Sequence, residues 1–284
     1  MDRQTYKTLK RARKTNVPPQ EFEKLNISIP ITQYALNMFI SDARYVTDFS
    51  KLSPKFSNLE PTHAYKDELV ITYLLFLGKF LNNSFLQHVF IIPYSNGFFL
   101  WNNIYKKIVY VLITLLYNKK FSDEDWVNLE DMTYELNKGY SNSVRNFLKQ
   151  MKILTISDEQ TIEMESKYNG YFTIDSNEFG PFYWRIIHFV AEAFGVRKNA
   201  ETAKAIWKEF TLYILYRTLL CSICKMHYKE IIDKYKNQLQ NSTDYAMLWF
   251  DIHNEVNKKI EKPEYSKDSF EKDRKIMRSL LIQK

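Results

Sequence analysis

The chain has 284 residues, 45% hydrophobic and 26% charged, with six glycines, eight prolines and a formal net charge of +7. This describes a chain able to bury a real core as one large domain or two modest ones, mainly helical. Its two cysteines exclude a disulfide-rich secreted scaffold and suit a reducing compartment.

The opening stretch MDRQTYKTLKRARKTN is basic and polar with no apolar segment behind it, so no secretory or transit pattern is visible. Its KTLKRARK matches only a weak nuclear-import pattern. No nucleic-acid-binding motif accompanies the lysines, which read as a solvated surface, and no specific nucleic-acid partner is expected. Pro18, Pro19, Pro30, Pro54 and Pro61 divide the first 60 residues into short helices and loops.

From Thr62 to about Met151 the pattern is helical. The runs LVITYLLFLG from Leu69 and IVYVLITLLY from Ile108 stop at about ten residues, against the roughly 20 that a bilayer requires. They therefore predict buried helices, with no membrane partner, and YKKIVYVLITLLYNKK is apolar on nearly every face, as a central bundle helix is. In FSDEDW, Ser122 and Asp125 have the spacing of a capping box with an acidic first turn. Periodicity is weakest over residues 152–178, around a turn at Asn169-Gly170. A boundary is placed there, giving an N-terminal helical domain over 1–165 and a C-terminal domain over 166–284.

The C-terminal part predicts further helices. GPFYWRIIHFVAEAF carries proline in its first turn, and AETAKAIWKEFTLYILYRTLL follows Asn199 as N-cap. The next helix begins near the cysteines and runs through KMHYKEIIDKYK. DYAMLWFDIHNEVNKKI follows Ser242 and Thr243, and SKDSFEKDRKIMRSLLIQ follows Pro263. The expected fold class is all-α.

Both cysteines lie in CSICKMHY, as Cys221 and Cys224. A Cys-x-x-Cys pair in the first turn of a helix brings its sulfurs within disulfide reach, where unpaired N–H groups favour a thiolate. Zinc is the rival reading, but there is no second cysteine pair, and His227 and His253 complete a ligand set only at unusual spacing. A thioredoxin-like unit requires strands that the helical flanks do not offer. Two buried structural cysteines are the third alternative.

Upstream, Gly180, Trp184 and His188 recur every four residues on one helix face. They present bare backbone, a flat aromatic surface and a polar ring, which suits a planar ligand, although such a row also occurs in ordinary cores. Downstream, His253 and Asn257 stand one turn apart with Asn254 beside them, followed by Lys259, Lys262 and Pro263.

The series Gly180-x3-Trp184-x3-His188-x2-Ala191, Cys221-x2-Cys224-x2-His227-Tyr228 and His253-Asn254-x-Val256-Asn257-x-Lys259-x2-Lys262-Pro263-x-Tyr265 resembles the Erv/ALR family of FAD-linked sulfhydryl oxidases over about residues 177–270. That resemblance implies a helical bundle binding FAD and no metal. Cys224 would be the flavin-proximal sulfur and Cys221 the sulfur attacked by substrate. Gly180, Trp184, His188, His227, His253, Asn254, Asn257 and Tyr265 would line the cofactor with Val256 as an apolar wall, and Lys259 and Lys262 would lie near its diphosphate or adenosine. The implied activity is thiol oxidation in protein substrates, with molecular oxygen as acceptor and hydrogen peroxide as product.

The chain departs from the family pattern where Pro181 replaces an arginine, Leu248 a tryptophan and Ser266 a cysteine. No second cysteine pair is present to shuttle electrons, so protein thiols or a dithiol carrier protein would meet Cys221 directly. By overall plan the chain resembles sulfhydryl oxidases of large insect-infecting DNA viruses, implying a viral enzyme of the host cytoplasm or nucleus, virion-associated or not, and a homodimer. The N-terminal part would then pack on the oxidase part as a subunit mimic or interaction domain. The contrasting expectation is a helical scaffold or virion-associated protein with a degenerate oxidase domain.

Overall fold

The computed structural model describes residues 63–82, 100–138, 140, 142–162, 176–219 and 222–282. The short helices expected in residues 1–60, the Asn169-Gly170 turn, the proposed boundary and Cys221 lie outside the described residues. Among the described residues every regular element is a helix, in agreement with the all-α expectation.

In the N-terminal part, α1 spans His63–Asn82 and α2 Leu100–Tyr117. The apolar run of α1 is buried from Leu69 to Leu77. In α2, Ile104, Ile108, Val109, Val111, Leu112, Ile113, Leu115 and Leu116 are all buried, because partners surround the helix: α1, α3, α5 and α6. Burial on every face is what its unbroken apolar sequence demands.

Helix α3, Asp123–Asn137, starts at the expected capping box: Ser122 Oγ accepts from Asp125 N–H at 3.2 Å, and the Asp125 carboxylate accepts from Ser122 N–H at 2.8 Å. Gly78 permits close packing of α1 on α3, since a Cβ there would stand 2.9 Å from Leu136 Cδ2. Helix α4, Asn142–Gln150, packs against α3 and α1.

The C-terminal part comprises α5 (Ser176–Val196), α6 (Glu201–Tyr213), α7 (Leu215–Thr218), α8 (Ser222–Asn241), α9 (Tyr245–Lys259) and α10 (Lys267–Ile282). Helix α5 is the hub, meeting α9, α10, α2 and α1, while α8 packs between α6 and α9. Buried Glu192 of α5 accepts from Arg274 Nε at 2.6 Å and Arg278 Nε at 2.8 Å, fixing α10 by the pairing that a desolvated carboxylate requires.

Several local expectations are corrected. Helix α5 begins at Ser176, so Pro181 lies inside it and withholds one intrahelical donor. The N-cap of α6 is Ala200, without a side-chain bond, in place of Asn199. The single helix expected through Leu220 breaks at Ile214. There, Tyr228 and Tyr183 hydroxyls donate to the Thr211 and Thr218 carbonyls at 2.9 and 3.1 Å, satisfying acceptors that a continuous helix would use itself. The segment expected to be helical from Asp244 begins one residue later, because Asp244 caps α9 by accepting from Met247 N–H at 3.0 Å.

Candidate active site

Helix α8 starts at Ser222, which puts Cys224 in its first turn, among the N–H groups that lack intrahelical acceptors. Cys224 is disulfide-bonded, and the chain's other cysteine is Cys221. Beside it, burial pulls the Lys225 ammonium down to about 7. Cys224 opens onto a cavity of about 860 Å³, in the size range of a small-molecule site.

The four-residue row on α5 supplies one wall, with Gly180, Trp184 and His188 all facing the cavity. A Cβ on Gly180 would meet no protein atom within 4 Å, so the absent side chain leaves open room. From α8 come Cys224 and His227, three residues apart and on one helix face. His253, Val256 and Asn257 of α9 complete the facing wall, and the segment after α9 brings Lys262 and Tyr265.

The aromatic groups are arranged as one cluster. Trp184 and His253 stack at 4.0 Å with planes 11° apart, and Trp249 meets Trp184 edge-on at 6.3 Å. His188 Nε2 lies 2.9 Å from His253 Nδ1. Burial pushes His188 down to about 3, and burial, reinforced by His188 and Lys262, also pushes His253 well below the usual imidazole range. Both rings are therefore neutral near pH 7 and share one proton along that contact.

Two amides build the wall from behind. Asn254 donates to the Tyr265 carbonyl at 3.0 Å and accepts from its N–H at 2.8 Å, while Asn257 donates to the Pro263 carbonyl at 3.2 Å. Asn254 thus holds Tyr265 in place and does not itself line the cavity. Lys259 is also absent from the lining, its ammonium bonded to Glu230. Ser266 accepts from Ser269 N–H at 3.2 Å where α10 begins.

Arg185 of α5 and Ser269, Lys272, Asp273 and Met277 of α10 line the cavity without having been singled out in the sequence. A signal was present, since Ser269, Asp273 and Met277 recur every four residues and so share a helix face. Among the described residues, no three His, Cys, Asp or Glu side chains are grouped to hold a metal ion.

The cavity suits a flavin by its own chemistry. It combines flat aromatic and aliphatic walls with cations, and the buried Nδ1 atoms of His188 and His227 have no hydrogen-bond partner in the protein. Buried ring nitrogens of this kind call for a polar ligand.

Residues 181–275 match the model of the Erv1 / Alr family. An FAD-linked sulfhydryl oxidase of African swine fever virus (isolate Pig/Kenya/KEN-50/1950) is 32% identical over 89 residues, covering 30% of this chain and 69% of the viral protein. No solved structure matches the chain. With a disulfide-bonded cysteine in the first turn of α8, an aromatic cavity before it and this relative over the same region, the chain belongs to the Erv1/Alr family of FAD-linked sulfhydryl oxidases.

Proposed function

We propose that the protein is an FAD-dependent thiol oxidase that makes disulfides in protein substrates through Cys221 and Cys224. The observation that carries this reading is disulfide-bonded Cys224 facing the cavity of Trp184, His188 and His253. In the proposed cycle a substrate thiolate attacks Cys221, breaking its bond to Cys224 and releasing the Cys224 thiolate. A second substrate thiolate then attacks the mixed disulfide, leaving substrate oxidised and the cysteine pair reduced.

The N–H groups and dipole of the first turn of α8 favour negative charge on Cys224. Trp184, His188, His227, His253, Val256, Asn257, Lys262 and Tyr265 would hold FAD, while Asn254 would act by positioning Tyr265. When bound, FAD supplies the two-electron acceptor that restores the disulfide and is reoxidised by molecular oxygen, giving hydrogen peroxide.

With only two cysteines in the sequence, the substrate thiols or a dithiol carrier protein would engage Cys221 directly. The kinship with a viral oxidase supports a virus-encoded enzyme, for which we propose action in the host cytoplasm or nucleus as a homodimer. The insect-virus likeness rests on overall plan alone. The N-terminal helices would serve as a packing partner for the oxidase part, a role consistent with α2 meeting α5 and α6.

Purified protein is expected to be yellow and to consume oxygen when given a small dithiol. Colourless protein that stays inactive after incubation with FAD overturns the reading. Cys224→Ser should abolish turnover while bound flavin remains.

A further inference from the structure

We propose that the outer face of α3 is a docking surface for a basic, amphipathic helical segment of a partner protein. Four of the nine large apolar side chains that stand exposed among the described residues belong to this helix or its exit: Trp126, Val127, Tyr134 and Tyr140. Scattered apolar side chains are ordinary on a surface, but a concentration in one place marks a contact site. Helix α3 packs on α1, α2 and α4, so the face lies in the N-terminal part, apart from the cavity, and the proposal stands independently of the oxidase reading.

The apolar centre is built in advance. Trp126 stacks on Tyr110 of α2 at 5.2 Å and meets Phe121 at 4.9 Å, so its ring is held in one place while 44% of the residue stays open to solvent. A side chain ordered before binding loses little freedom on contact, and tryptophan is among the residues that most often anchor interfaces. Val127 and Tyr134, seven residues apart and each 60% exposed, carry the stripe two turns along the same face.

Charge decides the kind of occupant. In a protein of net charge +7, α3 carries six carboxylates and no basic residue. Asp123 and Glu124 suit the N-terminal dipole, but exposed Glu130 and Asp131 lie beyond the first turn, where the dipole no longer accounts for them. Glu130 is bridged to Lys106 of α2, whereas no ion pair engages Asp123, Glu124 or Asp131 among the described residues. The face already holds one cation, since Lys138 Nζ stands 4.0 Å from the centre of the Tyr134 ring. A twofold contact of this face with itself would oppose the carboxylates of two copies, a costly arrangement. Lysines or arginines beside an apolar stripe satisfy both parts of the surface, in the manner of an amphipathic helix laid along an apolar strip.

The test measures, by fluorescence anisotropy, binding of a labelled peptide of about 18 residues, leucines on one helix face and lysines on the other, to the full-length protein. Wild type is expected to bind it, less tightly as salt rises, and to ignore the same peptide with glutamates for lysines. Trp126→Ala should weaken binding at least about 10-fold, as loss of an aromatic anchor does. Val127→Lys, which leaves the cluster of Tyr110, Phe121 and Trp126 in place, should also weaken it by interrupting the stripe and adding like charge, and Asp131→Asn by a smaller factor. Affinity unchanged in Val127→Lys, or no binding by wild type, overturns the proposal. Dissociation of a dimer by Val127→Lys in sedimentation velocity also overturns it, since the face would then belong to a contact between copies of this chain.

Discussion

His188 and His253 face each other through ring nitrogens 2.9 Å apart, a contact that works only while one nitrogen remains an acceptor. Burial holds His188 far below its usual range, and His253 is lowered by burial, His188 and Lys262 together. In the unfolded chain both imidazoles take up protons near pH 6.5. The folded pKa values are depressed, so below that point the unfolded state binds more protons and stability falls with pH; above it their contribution is complete. Each ring should add a slope of about 1.4 kcal/mol per pH unit between pH 6.5 and the folded range. Urea unfolding of wild type and His188→Leu from pH 7 to 5 measures this directly. The variant should lose about half of the histidine-dependent slope, and equal slopes would refute the neutral pair.

Elements whose signals are local and complete were readable in advance. Ser122 and Asp125 satisfy each other within one turn, and the apolar run of α2 from Ile108 to Leu116 has no exposed residue, so both follow from sequence alone. The breaks and caps were harder, because they depend on distant partners. Helix α6 ends where Tyr228, 17 residues away, donates to Thr211, and no window along α6 contains that hydroxyl. The site divides in the same way. The spacing of Gly180, Trp184 and His188 announces one wall, whereas Arg185 and Asp273 enter through the packing of α10 on α5. Asn254 shows how a motif residue can act at one remove, through its two bonds to Tyr265. Asn254→Ala should lower stability by about 1–3 kcal/mol and reduce FAD retention about 10-fold, measured by ultrafiltration of the holoprotein. Undiminished FAD retention would mean that Tyr265 keeps its position without the amide.

At the scale of the whole molecule, buried apolar residues from Tyr65 to Leu281 form one continuous core across both parts of the chain. Polar contacts tie the same parts at their helix ends. Lys66 of α1 donates to the carbonyls of Leu116 and Leu280, each at 3.4 Å, at the C-termini of α2 and α10. Arg197, just beyond α5, donates through Nε to the Leu115 carbonyl at 3.0 Å and through Nη2 to the Leu281 carbonyl. Cations at these positions also complement the helix dipoles. Since one guanidinium closes the ends of helices from both parts, Arg197→Ala should destabilise the molecule by about 1.5–3 kcal/mol. Because the core is shared, thermal unfolding should remain a single transition shifted to lower temperature. Calorimetry distinguishes the alternatives: a second, resolved transition in the variant would show that the N-terminal helices and the oxidase helices are separate cooperative units joined by surface contacts alone.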